Sequence, residues 1–441
     1  MIRRSVNPDV CDHVAAVIPA NPGTAGLLRG LGRTDILALT LNNVIGAGVF
    51  TLPAALAAGA GNWSLGVLLA TLALVSLIAL CTVEVASRYD VTGGPMVYAA
   101  AAFGPLAGFV VGWLMYLSRL AAFGAIAAIM LDYGAGLWPP LSATAVRTLI
   151  ITVFIASAAA INLRGVVAGA LATNLLTAVK LLPLALLASA AVWSLGWTPG
   201  PSLPPPDDLG GAVLIAFFAC MGFEHAAVVA GEARNPRRDL PVGILGGIAG
   251  VGALYTLLMV LCFRTVPDLA HARRPLADAA AALVGPHGAT AVSLTAVLSC
   301  AGSLTGWMIV VPRVLYALGA QSDLPYVFAR VDRIPRTPGV AIVGTAMVVW
   351  ALTVSGTFVY LATFSAVARL LMYGSTCAAL IVLRRRDGPA PIPIPLGWLW
   401  SGLAVVCSAI ALGTTTGVAV RDVSIAIGLG CVVRAASRLA Q

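Results

Sequence analysis

Long apolar runs alternate with short polar segments along almost the whole chain. An apolar helix needs about 20 residues to cross the hydrocarbon core of a bilayer. Only helices and closed barrels satisfy every backbone polar group in a membrane, and runs of this length favour helices. We predict twelve spans, at 35–59, 65–87, 104–132, 144–163, 168–194, 210–231, 240–263, 289–319, 339–355, 358–383, 397–414 and 422–438.

The composition excludes the soluble classes of protein. The chain has 441 residues, of which 60% are hydrophobic and 10% charged, whereas roughly a quarter of the residues of a soluble protein are charged. Its mean hydropathy is +0.97. We therefore predict an all-α polytopic membrane protein rather than a soluble enzyme, a nucleic-acid-binding domain or a secreted disulfide scaffold. The sequence contains no zincin, nucleophile-elbow or P-loop motif, so we do not expect an enzyme.

The positive charge sets the predicted topology. The net charge is +9, and arginines concentrate in those loops that are cytoplasmic when the N-terminus is inside. This bias predicts that both termini are cytoplasmic, with 1–34 as an N-terminal tail. The cysteines and histidines are too scattered for a metal site or a disulfide framework, so we expect neither a metal nor a cofactor.

Glycine interrupts two of the predicted spans. Span 1 contains NVIGAGVF (43–50) and span 6 contains FFACMGFE (217–224). The two lie five spans apart and therefore cross the membrane in opposite directions. Paired broken helices at matching places in two halves of a chain indicate a transporter site. The alternative is that the glycines only allow close helix packing; the pairing, with Glu224 beside one break, favours the site.

Four segments in sequence order carry a family resemblance. They are IGAGVFTLPA (45–54), GGPMVYAAAAFGPLAGFVVGW (93–113), FFACMGFEHAAVVAGEARNPRRDLP (217–241) and GSLTGWMIVVPRVLYALGAQSDLP (302–325). In these segments the chain resembles members of the amino acid–polyamine–organocation (APC) transporter family. The resemblance implies a leucine-transporter-like fold with two inverted five-helix repeats and two extra helices. The repeats are then 35–195 (spans 1–5) and 209–386 (spans 6–10), followed by spans 11–12 in 396–441.

The resemblance also implies a binding site for an amino acid at the two breaks. The carboxylate is expected on the N–H groups of Ala47 and Gly48, and the ammonium on the carbonyls of Val44, Phe218 and Met221. Trp307 resembles a pocket-gating tryptophan of a relative, while that relative's second gating tryptophan is replaced by Phe218. The predicted binding residues are Val44, Ile45, Gly46, Ala47, Gly48, Phe218, Ala219, Cys220, Met221, Trp307 and Ser365. No acidic residue is expected around the substrate side chain, which favours a neutral substrate.

Charged residues inside the spans add candidates for coupling and gating. Lys180 is the sole lysine of the chain, and lysine can lose its proton when desolvated, whereas arginine effectively cannot. The resemblance implies that Lys180 occupies the space of a sodium ion in sodium-driven relatives and bridges to the carbonyl of Gly46. Its deprotonation would then loosen the inner gate. The alternative is a permanent charge that fastens span 5 to span 1.

Glu224 and Arg369 are the other informative charges in the spans. Glu224 follows the second break, where it is expected to hold the break open or to relay protons. Arg369 is expected either to pair with a buried carboxylate or to touch an acidic substrate, and we favour the pairing. The role of Arg119, also inside a span, stays open.

These features predict a proton-coupled secondary transporter of neutral amino acids in a bacterial inner membrane. Its partners are the amino acid, protons and the lipid bilayer, with no nucleic acid; the oligomeric state is open. The nearest alternative is an obligate exchanger, including one for cationic amino acids or amines, with Lys180 as a fixed charge. A channel or membrane sensor is an alternative of another class, but a channel needs an open pore lined by charges or carbonyls.

Overall fold

The computed structural model describes residues 32–89, 94–163, 180–190, 192, 205–224, 234–331, 337–413 and 417–439. These residues are almost entirely helical, and no strand occurs among them. The helices are α1 (Arg33–Val44), α2 (Leu52–Ala60), α3 (Ser64–Ala86), α4 (Pro95–Phe103), α5 (Pro105–Leu137), α6 (Thr144–Leu163), α7 (Lys180–Ala190), α8 (Leu209–Ala219), α9 (Pro236–Thr265), α10 (Pro275–Val284), α11 (Pro286–Ala320), α12 (Gly339–Ser355), α13 (Phe358–Asp387), α14 (Gly397–Gly413) and α15 (Gly417–Leu439).

The described residues include six stretches that are long and apolar enough to cross a membrane. They are Leu52–Ala86, Pro105–Leu137, Thr144–Leu163, Arg238–Thr265, Pro286–Ala320 and Phe358–Asp387. A seventh results if α14 and α15 are taken as one bent span. The prediction of an all-helical polytopic membrane protein is confirmed. The number of twelve spans stays a prediction, since parts of spans 5 and 6 and most of the N-terminal tail lie outside the described residues.

Span 1 is broken at the predicted glycines. Helix α1 ends at Val44, Gly46 has an extended backbone, and a short 3₁₀ turn covers Ala47–Phe50 before α2 begins. Pro53 lies in the first turn of α2, where its missing N–H costs no helical hydrogen bond. Two short helices joined by irregular backbone therefore replace one continuous helix.

Span 6 is also broken, and at the predicted position. Helix α8 begins after Asp208, whose side chain accepts a hydrogen bond from the Gly211 N–H at 2.8 Å. It ends at Ala219, and the chain then passes through Gly222 at a φ of 120°. An L-residue with a side chain rarely adopts this conformation, so glycine is needed there.

Small residues bring the helices around the two breaks close together. Helix α9 packs along α1, and a Cβ atom added at Gly243 or Gly247 would collide with Ile36 or Thr40. Close backbone approach through glycine is a common way to pack helices in membranes. On the other side of span 1, the Tyr133 hydroxyl of α5 donates to the Phe50 carbonyl at 2.7 Å. The broken span is thus held between two long helices, α9 and α5.

Candidate substrate site

The two breaks touch each other. A Cβ atom on Gly48 would lie 2.9 Å from the Cα of Ala219, and one on Gly222 would overlap the backbone of Asn43. Real side chains do not approach that closely, so glycine at these two positions is what allows the contact. The irregular segments of spans 1 and 6, which the sequence places far apart, therefore lie against each other and make one candidate site.

Backbone polar groups in these segments lack their usual helical partners. The first N–H groups of the turn Ala47–Phe50 have no acceptor in a preceding helical turn, as at any helix N-terminus. The Gly46 N–H turns back to the Val44 carbonyl at 2.7 Å instead of reaching Asn42. As a result the Asn42 carbonyl loses the donor that a continuous helix would supply.

Tyr255 of α9 joins the two breaks. Its hydroxyl lies 3.1 Å from the Val44 carbonyl and 3.0 Å from the Ala219 carbonyl, at the end of α1 and the end of α8. We did not predict this role for Tyr255. The available signal was a tyrosine inside an apolar span, since a buried tyrosine hydroxyl generally finds a polar partner. Because Val44 already faces the Gly46 N–H and this hydroxyl, its carbonyl is a poorer acceptor for a substrate ammonium than we predicted.

A cavity of about 50 Å³ lies between the breaks. Most of the predicted binding residues line it, whereas Ile45, Cys220 and Ser365 are not among the described residues around it. Instead Ser365 donates a hydrogen bond of 2.8 Å to the Ser118 carbonyl in α5. The lining residues are Asn43, Val44, Gly46, Ala47, Gly48, Ala122, Ile126, Phe218, Ala219, Met221, Gly222, Trp307 and Arg369.

Glu224 and Arg369 form a buried ion pair beside this cavity. Their side chains are 3% and 5% exposed, and Arg369 Nη1 lies 2.9 Å from Glu224 Oε1. The predicted pairing of Arg369 with a buried carboxylate is confirmed. Arg119 of α5 lies close enough to experience the charges of both residues.

The second oxygen of Glu224 holds the broken backbone. Oε2 accepts a hydrogen bond from the Gly222 N–H at 3.0 Å and another from the Tyr373 hydroxyl at 2.5 Å. The carboxylate thus replaces the helical acceptor that the Gly222 amide lost at the break. Tyr373 also packs its ring against Phe217 and Phe223. We did not predict Tyr373 as a residue of the site.

Lys180 lies at the start of α7 and is 6% exposed. Its Nζ donates to the Asn42 carbonyl at 2.6 Å. The predicted acceptor, the Gly46 carbonyl, is therefore wrong, and the acceptor found lies about one helical turn earlier in the chain. The reason is local: the Gly46 N–H bonds to Val44, which leaves the Asn42 carbonyl without its helical donor. A positive charge at this place also interacts favourably with the C-terminal end of α1.

Comparison with known proteins shows which family the chain resembles over most of its length. The family model described as "Amino acid permease" matches residues 31–426. The chain is 29% identical over 342 residues to the serine/threonine exchanger SteT of Bacillus subtilis, covering 72% of this chain and 74% of that protein.

Two further relatives are transporters by name. An uncharacterized transporter of Mycobacterium tuberculosis is 29% identical over 408 residues, 88% of each chain. A putative arginine/ornithine antiporter of Escherichia coli is 28% identical over 337 residues, covering 68% of this chain and 70% of that protein.

Proposed function

Because the chain belongs to the amino acid permease family, we propose that it is a proton-coupled secondary transporter of small neutral amino acids. It is a multi-pass membrane protein with an amino acid substrate; the bacterial inner membrane and cytoplasmic termini are part of the proposal. The proposal also includes the two inverted repeats, 35–195 and 209–386, which would move relative to each other around the paired breaks.

The cavity between the two breaks is the observation that carries this proposal. Its volume of about 50 Å³ corresponds to roughly three to five water-sized groups, at about 10–15 Å³ each. Alanine already has more non-hydrogen atoms than that, so the cavity favours a short side chain and must widen to hold the substrate. Arg369 is one of the lining residues and Arg119 lies near it, so a cationic side chain would meet two positive charges against the single carboxylate of Glu224.

The backbone supplies the groups that would bind the zwitterion. The N–H groups at Ala47 and Gly48 open the turn that leads into α2, and the positive end of a helix attracts a carboxylate. Carbonyls of Phe218 and Met221 are the proposed acceptors for the ammonium group. In this arrangement the substrate satisfies polar groups that would otherwise be costly in a membrane.

Lys180 is the proposed coupling residue. In its protonated form it holds the end of α1 through the Asn42 carbonyl. Loss of the proton removes the charge that interacts with this helix end and weakens the bond, because hydrogen bonds from charged donors are the stronger ones. Helix α1 would then separate from α7 and open the inner gate.

Proteoliposome uptake tests the coupling directly. We expect an inward proton gradient to drive accumulation of labelled L-alanine by the wild-type protein and not by Lys180→Ala or Lys180→Arg. The arginine variant keeps the charge but effectively cannot release a proton. Ser189→Ala, on the exposed side of the same helix, is the matched control and should behave as wild type.

Exchange is the second candidate, favoured by the names of two relatives, one an exchanger and one an antiporter. An exchanger would need internal amino acid and ignore the proton gradient. Lys180→Arg would then retain transport, because only a fixed charge is required. That result would contradict proton coupling through Lys180 and leave amino acid transport itself intact.

A further inference from the structure

Proline interrupts the hydrogen bonding of α11 beside the cavity. Pro312 lies inside this helix. Proline has no N–H, so the Met308 carbonyl, four residues earlier, lacks the donor that a regular helix would supply. Met308 follows Trp307 directly, and Trp307 lines the cavity between the two breaks. The interrupted turn of α11 therefore carries a residue of the cavity wall.

A side chain from another helix supplies the missing donor. Asn162 of α6 is 1% exposed, and its amide nitrogen donates a hydrogen bond to the Met308 carbonyl. The two residues lie 146 positions apart in the chain. Because a buried carbonyl without a donor is unfavourable, this bond from α6 compensates for the N–H that Pro312 does not have.

The next carbonyl of the same turn also receives a bond from a side chain. The guanidinium of Arg313 donates from Nη1 to the Ile309 carbonyl. Prolines are tolerated in membrane helices because side chains and neighbouring helices satisfy the backbone groups that they free. Arg313 is exposed and belongs to α11 itself, whereas Asn162 belongs to α6. Of the two bonds, it is the one from Asn162 that fixes this turn relative to a neighbouring helix.

We propose that Asn162 is a positioning residue, whose bond to the Met308 carbonyl holds the turn at Pro312 so that Trp307 keeps its place against the substrate. The inference rests on the proposed function, because it takes the cavity between the breaks as the substrate site. Asn162 is not among the described residues that line this cavity, so it acts through Trp307. Without the bond, the Met308 carbonyl has lost both donors, and the turn shifts towards another one together with Trp307.

The substrate concentration at half-maximal uptake tests this role in proteoliposomes. The substrate is the amino acid that the wild-type protein takes up fastest from a panel of labelled neutral amino acids. Asn162→Leu keeps the size of the side chain and removes its donor. We expect KM to rise by about fivefold or more, with kcat per folded transporter within about twofold of wild type. A merely structural residue would instead lower the thermal midpoint and the amount of active protein and leave KM unchanged.

A second substitution separates the missing donor from any other effect of the leucine. Pro312→Ala returns an N–H to position 312, where a regular helix directs it to the Met308 carbonyl. The variant that combines Asn162→Leu with Pro312→Ala should recover a KM within about twofold of wild type. Pro312→Ala alone should stay in the same range, because either donor then serves the carbonyl.

Two further variants test whether the effect passes through Trp307. Trp307→Leu should raise KM by itself, and adding Asn162→Leu to it should cause less than about a twofold further rise, since residues that act as one unit are not additive. Thr152→Val is the matched control. It removes another bond of α6, from Trp350 Nε1 to Thr152 Oγ1 at 2.8 Å, and neither residue lines the cavity, so its KM should equal that of wild type.

Three results would overturn the inference. An unchanged KM in Asn162→Leu, and in Asn162→Ala where leucine prevents folding, would exclude a positioning role. A failure of Pro312→Ala to restore KM would exclude the missing N–H as the cause, and an equal effect of Asn162→Leu with and without Trp307 would exclude Trp307 as its target. A wild-type protein that transports no amino acid of the panel would instead contradict the proposed function, so the two failures are distinguishable.

Discussion

Two arginines of α13 pair with buried glutamates, and they do so in different ways. Arg369 meets Glu224 through one nitrogen, Nη1, at 2.9 Å beside the cavity. Arg384, fifteen positions further along the helix, meets Glu84 of α3 through two, with Nε and Nη2 each at 2.5 Å from a carboxylate oxygen. Glu84 also accepts the Ile394 N–H at 2.9 Å, and Arg384 donates to the Ile394 carbonyl at 2.7 Å.

The two ion pairs differ in what they hold: one fastens helices together, and the other lies at the candidate site. The pair of Arg384 and Glu84 uses the planar fork of the guanidinium fully, which is the strongest geometry for an arginine and a carboxylate. It ties α3, α13 and the segment at Ile394 together. The pair of Arg369 and Glu224 is joined through one nitrogen, and the second carboxylate oxygen accepts the Gly222 N–H of the broken backbone. The same two residue types therefore join helices in one place and hold the broken backbone beside the cavity in the other.

Removing each carboxylate in turn should give the largest difference between the two ion pairs. We expect Glu224→Gln to reduce transport to below about a tenth of wild type and to destabilise the protein by about 3–5 kcal/mol, because it leaves the charge of Arg369 buried without its partner. Uptake normalised to inserted protein and thermal unfolding in detergent measure the two effects.

Glu84→Gln is the matched control for that change. Arg384 is 21% exposed, so water can solvate it once the carboxylate is lost, and the destabilisation should be smaller. Transport per folded molecule and substrate preference should stay close to wild type. A Glu84 variant that loses transport while Glu224→Gln retains it would reverse the assignment of the two pairs.

An intermediate effect is expected from Arg384→Lys. A lysine ammonium cannot reproduce two parallel hydrogen bonds to a carboxylate, so the free energy of unfolding should fall by about 2 kcal/mol. Differential scanning fluorimetry in detergent would show a lower midpoint, with unchanged transport per folded molecule. Arg385→Lys, at the exposed neighbouring position, should change neither quantity; an equal loss there would remove the special role of Arg384.

The smallest effect is expected from Tyr373→Phe. The variant keeps the ring contacts with Phe217 and Phe223 and loses only the hydroxyl that donates to Glu224. Since the Gly222 N–H and Arg369 still bind the carboxylate, we expect a cost of about 1 kcal/mol. Transport should slow several-fold without a change in the order of substrates. A full loss of transport would show that the hydroxyl itself takes part in the transport cycle.

Local chemistry made much of the molecule predictable. The helices follow from runs of apolar residues, because a backbone in a bilayer must satisfy its own hydrogen bonds. The two breaks follow from glycines at 46, 48 and 222, whose lack of a side chain permits both the irregular backbone and the close contact. The family resemblance was equally visible in short segments, and the match over residues 31–426 confirms it.

Helix packing sets which polar group meets which across the helices, and short segments of sequence do not reveal it. The partners of Lys180 and Arg369 lie 138 and 145 positions away in the chain. Arginine at position 369 indicated a buried carboxylate, and Glu224 is that partner. Lysine at position 180 indicated a carbonyl of span 1, yet the turn of the Gly46 amide towards Val44 made Asn42 the acceptor. A sequence determines where polar groups stand on each helix, but a shift of one helical turn changes a partner, and only packing sets that shift.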